Sequence, residues 1–193
     1  MSESHRARGF SKAQWLEKGL EALTAGGVSA LTIEGLARSL GIARAGFYWH
    51  FKNRDDLLRQ LLSYWTNELT AVVTENPELD ALPPKARLLK AMEMVHDHEL
   101  GRYELAIRQW ALQDEEVARA VKTANRMRLD FFRKALSELG FVGDDLDMRA
   151  MLFAGYHGLE WAMFPEIPRK RRRELIPRRV ELLTGRDRDE QVT

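Results

Sequence analysis

Between Ile42 and Asn53 the chain reads Ile-Ala-Arg-Ala-Gly-Phe-Tyr-Trp-His-Phe-Lys-Asn. A surface that reads a DNA groove needs one long donor, small residues that permit close approach, and hydroxyl, imidazole or ammonium groups for phosphates. Arg44 supplies the donor, Ala45 and Gly46 the space, and Tyr48, His50 and Lys52 the phosphate-binding groups. They can act together only on a short helix that follows another helix through a tight turn, the minimum geometry for placing a helix in the major groove. Tyr48, Trp49 and Phe51 also fit the aromatic core of a small bundle. Spacing leaves both readings open, because helix-turn-helix shapes also occur in proteins that never touch DNA.

Other chemistry is poorly represented. Cysteine is absent, which removes disulfides, thiolate nucleophiles and thiolate-bound zinc. In His96-Asp97-His98-Glu99 the two imidazoles are two residues apart and point to different helix faces, so neither a metal nor another cofactor is expected. No Ser-containing nucleophile elbow or Gly-rich phosphate loop occurs, and the chain reads as a non-enzyme. The net charge is +1, with nine Lys/Arg against six Asp/Glu in residues 1–60 and 21 against 23 in the remainder. This mild excess permits contact with a polyanion without requiring it. The run Arg169 to Arg173 reads as a solvated loop beside Glu166 and Glu174. The polar start Met1–Arg6 and the lack of any run near the roughly 18 apolar residues of a membrane span point to the cytoplasm, with no membrane partner.

The positioning elements read as helices throughout. Ser11 is placed to cap a first helix with Trp15, Leu16, Leu20 and Leu23 on one face, stopped by Gly26-Gly27. Thr32 opens a second, with Ile33, Leu36, Ala37 and Leu40 at helical spacing and Gly41 at its end. Leu36, Ala37 and Leu40 can bury against Ile42 and Phe47, leaving Arg44, Ala45, Tyr48 and Trp49 outward. Asn53, with Asp56 three residues on, can cap a long helix over 54–74. Asn76-Pro77 and Pro83-Pro84 bracket a loop, and helices follow from Pro84, over about 103–113, after Asp114, from a cap at Asp144 with Asp147 three residues on to about 164, and through Leu175, Ile176, Val180 and Leu183. The tail beyond Gly185 is charged. The predicted fold is all-α, with a helix-turn-helix domain at 1–53 and a helical domain at 54–193.

The run Leu31-Thr32-Ile33-Glu34-Gly35-Leu36-Ala37, then Leu40-Gly41-Ile42, then Gly46 through Leu58, resembles the N-terminal signature of the TetR family of transcriptional regulators in one register over about 50 residues. The resemblance implies a short DNA-reading helix, a C-terminal effector-binding domain, and dimerisation through the last two long helices. By motif position, Arg44 and Ala45 would lie at base edges, and Thr32, Tyr48, His50 and Lys52 near phosphates. Phe47 stands where the family commonly has Leu and is expected to fill the core. The implied partners are double-stranded, palindromic operator DNA, a small apolar or amphipathic effector, and a second copy of the chain. The implied activity is an effector-controlled repressor, the alternative being a helical dimeric interaction module that has lost sequence-specific DNA binding.

In the second domain, Met92, His96, Trp110, Phe131, Tyr156 and Trp161 are the expected effector-pocket residues, with Gln109, Asn125 and His157 as further polar groups. An ordinary core with methionine filler would look similar. Ala154, Gly155, Gly158 and Ala162 form a small-residue face that lets another helix approach closely. With Leu175, Ile176, Val180 and Leu183 they are the expected dimer surface.

Overall fold

A computed structural model of the chain describes residues 10–185. The start Met1–Arg6, the tail beyond Gly185 and the side chain of His157 lie outside the described residues. Helix α1 (Lys12–Gly26) opens with a complete capping box: Ser11 Oγ accepts from Gln14 N, and Gln14 Oε1 accepts from Ser11 N. Such a cap contributes about 1 kcal/mol. A 3-10 turn leads to α2 (Ile33–Ser39), where Thr32 Oγ1 accepts from Gly35 N at 3.1 Å. Gly41, at φ 68°, takes the left-handed conformation that turns the chain, and Ile42 N then bonds back to Ala37 O at 3.0 Å.

Arg44–Trp49 is a 3-10 helix, tighter than the two α-turns that the spacing suggests. A Cβ at Gly46 would meet Ile42 Cδ1 at 3.3 Å, so a larger residue there requires the tip of the Ile42 side chain to give by a few tenths of an ångström. α3 (Arg54–Thr66) starts from a reciprocal cap: Asn53 Oδ1 accepts from Asp56 N, and Asp56 Oδ2 accepts from Lys52 N, both at 2.8 Å. That bond to Lys52 N is also the main cause holding the Asp56 carboxyl below its ordinary pKa.

The long helix expected over 54–74 is present but not uniform. After α3 the backbone widens into a π-turn at Asn67–Ala71 and resumes as the short α4 (Val72–Thr74). The loop expected between Asn76 and Pro84 contains the short α5 (Pro77–Asp80), with Pro77 in its first turn and Asn76 as its cap. α6 (Pro84–Asp97), α7 (Glu104–Ala111), α8 (Glu115–Glu138, capped by Asp114), α9 (Gly143–Met163) and α10 (Arg169–Thr184) complete the fold.

Two expectations are corrected. Asp144 is not a cap: Val142 holds the cap position with no side-chain bond, and Asp144 and Asp145 lie in the first turn of α9. Arg169–Arg173 is not a loop but the start of α10. Arg172 is buried, with its guanidinium 4.4 Å from the Trp161 ring centroid, and Arg173 holds Asp97 through Nε (2.9 Å) and Nη2 (3.1 Å). Arg169 and Arg173 of the basic run dock α10 on the end of α6 and the turn that follows it.

Two apolar cores result. The first joins Trp15, Leu20, Phe47, Phe51, Leu57, Leu61 and Trp65 to Ile107, Trp110, Val117 and Val121, so it crosses from the N-terminal helices into α7 and α8. The second is built on Leu88, Met92, Phe132, Phe153, Ile176 and Val180. α8 packs along α9, and α10 on α6.

Candidate functional site

Phe47 is fully buried, edge-on to Trp15 with ring centroids 5.6 Å apart, and 5.0 Å from Phe51. It fills the core as the larger replacement for leucine. With Leu36 and Ala37 also buried, the opposite side of the 3-10 segment faces solvent: Arg44 and Ala45 are exposed, Tyr48 is 57% exposed and Trp49 86%. The aromatic run thus divides, with Phe47 and Phe51 inside and Tyr48 and Trp49 outside.

The Arg44 guanidinium is engaged by Glu34 of α2 through an Nη1–Oε1 contact between two half-exposed side chains. Lys52 and Thr32 are exposed, the latter with its oxygen used as a helix cap and its own O–H able to donate. His50 is different: its Nε2 lies 2.8 Å from Phe10 O, so it donates there and ties the segment before α1 to the end of the 3-10 segment. A phosphate would compete with that carbonyl.

Arg54, singled out by no feature of its spacing, is the structural clamp of this head. Its Nε donates to Leu31 O at 2.7 Å and its Nη2 to Val28 O at 2.6 Å, locking the start of α3 onto the α1–α2 turn. A guanidinium aimed at carbonyls 23 and 26 residues away leaves no local sequence signal.

The body contains an apolar cavity of about 50 Å³ beside the π-turn, lined by Leu69, Thr70, Val73, Thr74, Val95, Leu100, Gly101, Glu104, Arg128, Phe131, Phe132, Ala154 and Gly158. Of the six expected pocket residues only Phe131 lines it. Met92 is fully buried in the second core. His96 is buried and stacked on Trp161 with centroids 5.9 Å apart; burial lowers its pKa. Trp110 belongs to the first core and to a polar cleft with Asp55, Arg59 and Asp114. Tyr156 lines an outer groove between α9 and α10, and Trp161 a cleft between α7 and α9. Large apolar residues at helical spacing were used for packing; the cavity formed where small residues and a helix irregularity left room.

Its polar groups were not anticipated. Glu104, 1% exposed, lies 2.7 Å from Arg108 Nη2 and 2.9 Å from Arg128 Nη1. Arg128 Nη2 donates to Thr70 Oγ1 at 3.1 Å, and Thr70 donates to Trp65 O at 3.3 Å across the π-turn.

The small residues of α9 divide likewise. Ala154 and Gly158 face this cavity, Gly155 has open space around it, and Ala162 lines the α7–α9 cleft. On α10, Ile176 and Val180 are buried within the chain, whereas Leu175 and Leu183 line the outer groove with Leu152 and the exposed Leu182. Met148 and Met151 are also exposed on α9. Among the described residues no helix is long and apolar enough to cross a membrane.

These features have counterparts. Residues 16–61 match the profile described as bacterial regulatory proteins of the tetR family. No curated protein sequence matches the chain. Its fold is similar to the transcriptional regulator FadR from Bacillus subtilis, crystallised with stearoyl-CoA, at a TM-score of 0.66 and 18% identity, covering 91% of this chain and 98% of that one. It is similar to the fatty acid degradation regulator FadR from Bacillus halodurans, at a TM-score of 0.66 and 17% identity over 92% and 100% of the two chains. A transcriptional regulator from Rhodococcus sp. Rha1 gives a TM-score of 0.67 at 15% identity over 90% and 96%. The helix-turn-helix region, residues 16–61, is thus matched in sequence to the tetR family of bacterial regulatory proteins, and the chain as a whole shares the fold of these solved regulators.

Proposed function

We propose that the chain is a cytoplasmic, non-enzymatic homodimeric repressor in which residues 1–53 grip operator DNA and residues 54–193 bind a small apolar or amphipathic effector that controls the grip. One observation carries this reading: a single helical spine serves both ends. Leu57, Leu61 and Trp65 of α3 are fully buried in the core that supports the reading head, while Leu69 and Thr70 in the π-turn and Val73 and Thr74 beyond it line the cavity. An occupant that moves the second set moves the support of the first.

Arg44 and Ala45 are assigned to base edges and Thr32, Tyr48 and Lys52 to phosphates, with His50 holding the N-terminal segment in place. The exposed Met148, Met151, Leu152 and Leu182 support a two-fold, four-helix contact through the outer faces of α9 and α10, which suits palindromic DNA. The ligand in the Bacillus subtilis FadR structure supports an effector site in this fold. The test is selection of a preferred duplex from random sequence, followed by titration of that complex with small amphiphiles. The reading requires a ligand that changes DNA affinity and whose own affinity is changed reciprocally by DNA. Ligand binding without any change in DNA affinity refutes it.

A further inference from the structure

Within the cavity the charges are unequal. Among its lining residues Glu104 is the one acid and Arg128 the one base, but Glu104 is also held from behind by Arg108, so two guanidinium groups flank one carboxylate. Arg108 has a second partner outside, Asn125 Oδ1 at 2.7 Å. An incoming carboxylate could therefore take Arg128 while Glu104 keeps Arg108, leaving every buried charge paired. An incoming cation would have to displace Arg128 from Glu104 and strand a guanidinium that is only 16% exposed, a costly arrangement in a low-dielectric site.

The space itself adds a condition. At about 50 Å³ it is a third of the roughly 150 Å³ known to accommodate benzene, so a ligand of that size must push the walls apart. The polar tie across it is the Arg128 bond to Thr70, and Thr70 is 2% exposed in the π-turn. Gly101 and Gly158 line both the cavity and the outer α7–α9 cleft, and a Cβ at Gly158 would stand 3.7 Å from Arg128 Nη1. The two spaces thus adjoin at these glycines, beside that guanidinium.

We infer that the effector is a carboxylate with a short apolar body, which enters past Gly158, pairs with Arg128 and draws it off Thr70, releasing the π-turn that connects the cavity to the DNA-binding head. This rests on the cavity being the effector site.

The test uses the full chain and three probes of equal length: hexanoate, hexanamide and hexylamine. Binding is read by calorimetry and DNA release by anisotropy on the selected duplex. Hexanoate is expected to bind at least tenfold more tightly than either of the others. Arg128→Met should erase that preference, and Thr70→Val should keep hexanoate binding while losing most of its effect on DNA. Hexanamide or hexylamine binding as tightly as hexanoate, or none of the three binding, overturns the inference; should Arg128→Met not fold, the three probes on the wild-type chain still decide it. The two readings fail separately. A neutral probe that binds and releases DNA leaves the proposed function standing without the charge assignment, whereas Arg128-dependent hexanoate binding with unchanged DNA affinity does the reverse.

Discussion

Glu34 is expected to restrain the DNA contact proposed for Arg44, and Glu34→Gln measures the restraint. In the DNA-free chain the two side chains are paired, at 55% and 60% exposure respectively, so before Arg44 can turn to a base edge the pair must break. An exposed pair of this kind contributes about 0.2 to 1 kcal/mol. Its removal should tighten operator binding by about 1.4- to 5-fold, since a tenfold change corresponds to about 1.4 kcal/mol. Loss of a carboxylate close to the phosphates would act in the same direction, so the single variant does not isolate the pair. The double-mutant cycle with Arg44→Ala does: if Glu34 acts by occupying Arg44, Glu34→Gln has no effect in the Arg44→Ala background. Fluorescence anisotropy at fixed salt on the selected operator suffices. Weaker binding by Glu34→Gln would show that Glu34 positions Arg44 for DNA. A gain undiminished without Arg44 would show general repulsion. Either result refutes the reasoning.

Arg54→Met removes two charge-assisted bonds to backbone carbonyls and should cost about 2 to 4 kcal/mol in denaturant unfolding; a loss below 1 kcal/mol would mean that the clamp is dispensable. Gly158→Ala should stabilise the chain by about 0.5 to 1 kcal/mol, the ordinary gain for a glycine inside a helix, because its Cβ meets nothing closer than 3.7 Å; self-association measured by sedimentation should not change, since this position faces the cavity. His96 has a pKa lowered by burial, so the unfolded chain takes up its proton first as pH falls. Thermal stability should accordingly drop below about pH 6.5 in wild type, and His96→Gln should flatten that part of the profile; an unaltered profile would place the sensitivity elsewhere.

The N-terminal head was the most legible part of the chain. Ser11, Thr32 and Asn53 cap their helices as side-chain type and position dictate, and Leu36 and Phe47 bury while Arg44 and Tyr48 do not. The caps follow local rules, each with its partner three residues away. The body obeyed them only in outline. Apolar spacing placed the helices, but the π-turn at Asn67–Ala71 has no sequence period of its own, and it decides where the cavity opens. The charged groups of the cavity were hidden for a related reason. Glu104 and Arg128 are ordinary helix-surface types until α7, α8 and α9 bring them together. The small residues of α9 were legible as a packing signal, but Ala154 and Gly158 serve an internal space while Gly155 points outward, a distinction that depends on which flank the neighbouring helix takes. The arginines at the start of α10 misled because charge density suggests solvent, whereas Arg172 and Arg173 find Trp161 and Asp97 only in the folded chain.

The central claim is that the exposed side of the 3-10 segment reads DNA sequence, and its most direct test compares wild type with Arg44→Ala on the preferred operator and on an unrelated duplex at several salt concentrations. Arg44 stands in the first turn of that segment with Ala45 and Gly46 beside it, so its guanidinium can approach a guanine edge bidentately. The account predicts a loss of about 1 to 3 kcal/mol on the operator and much less on the unrelated duplex. Lys52→Ala serves as the control, expected to weaken both duplexes similarly and to lower the salt slope by about one. Equal loss on both duplexes for Arg44→Ala, with folding intact, would contradict the account by showing that this side chain holds the backbone and does not read bases.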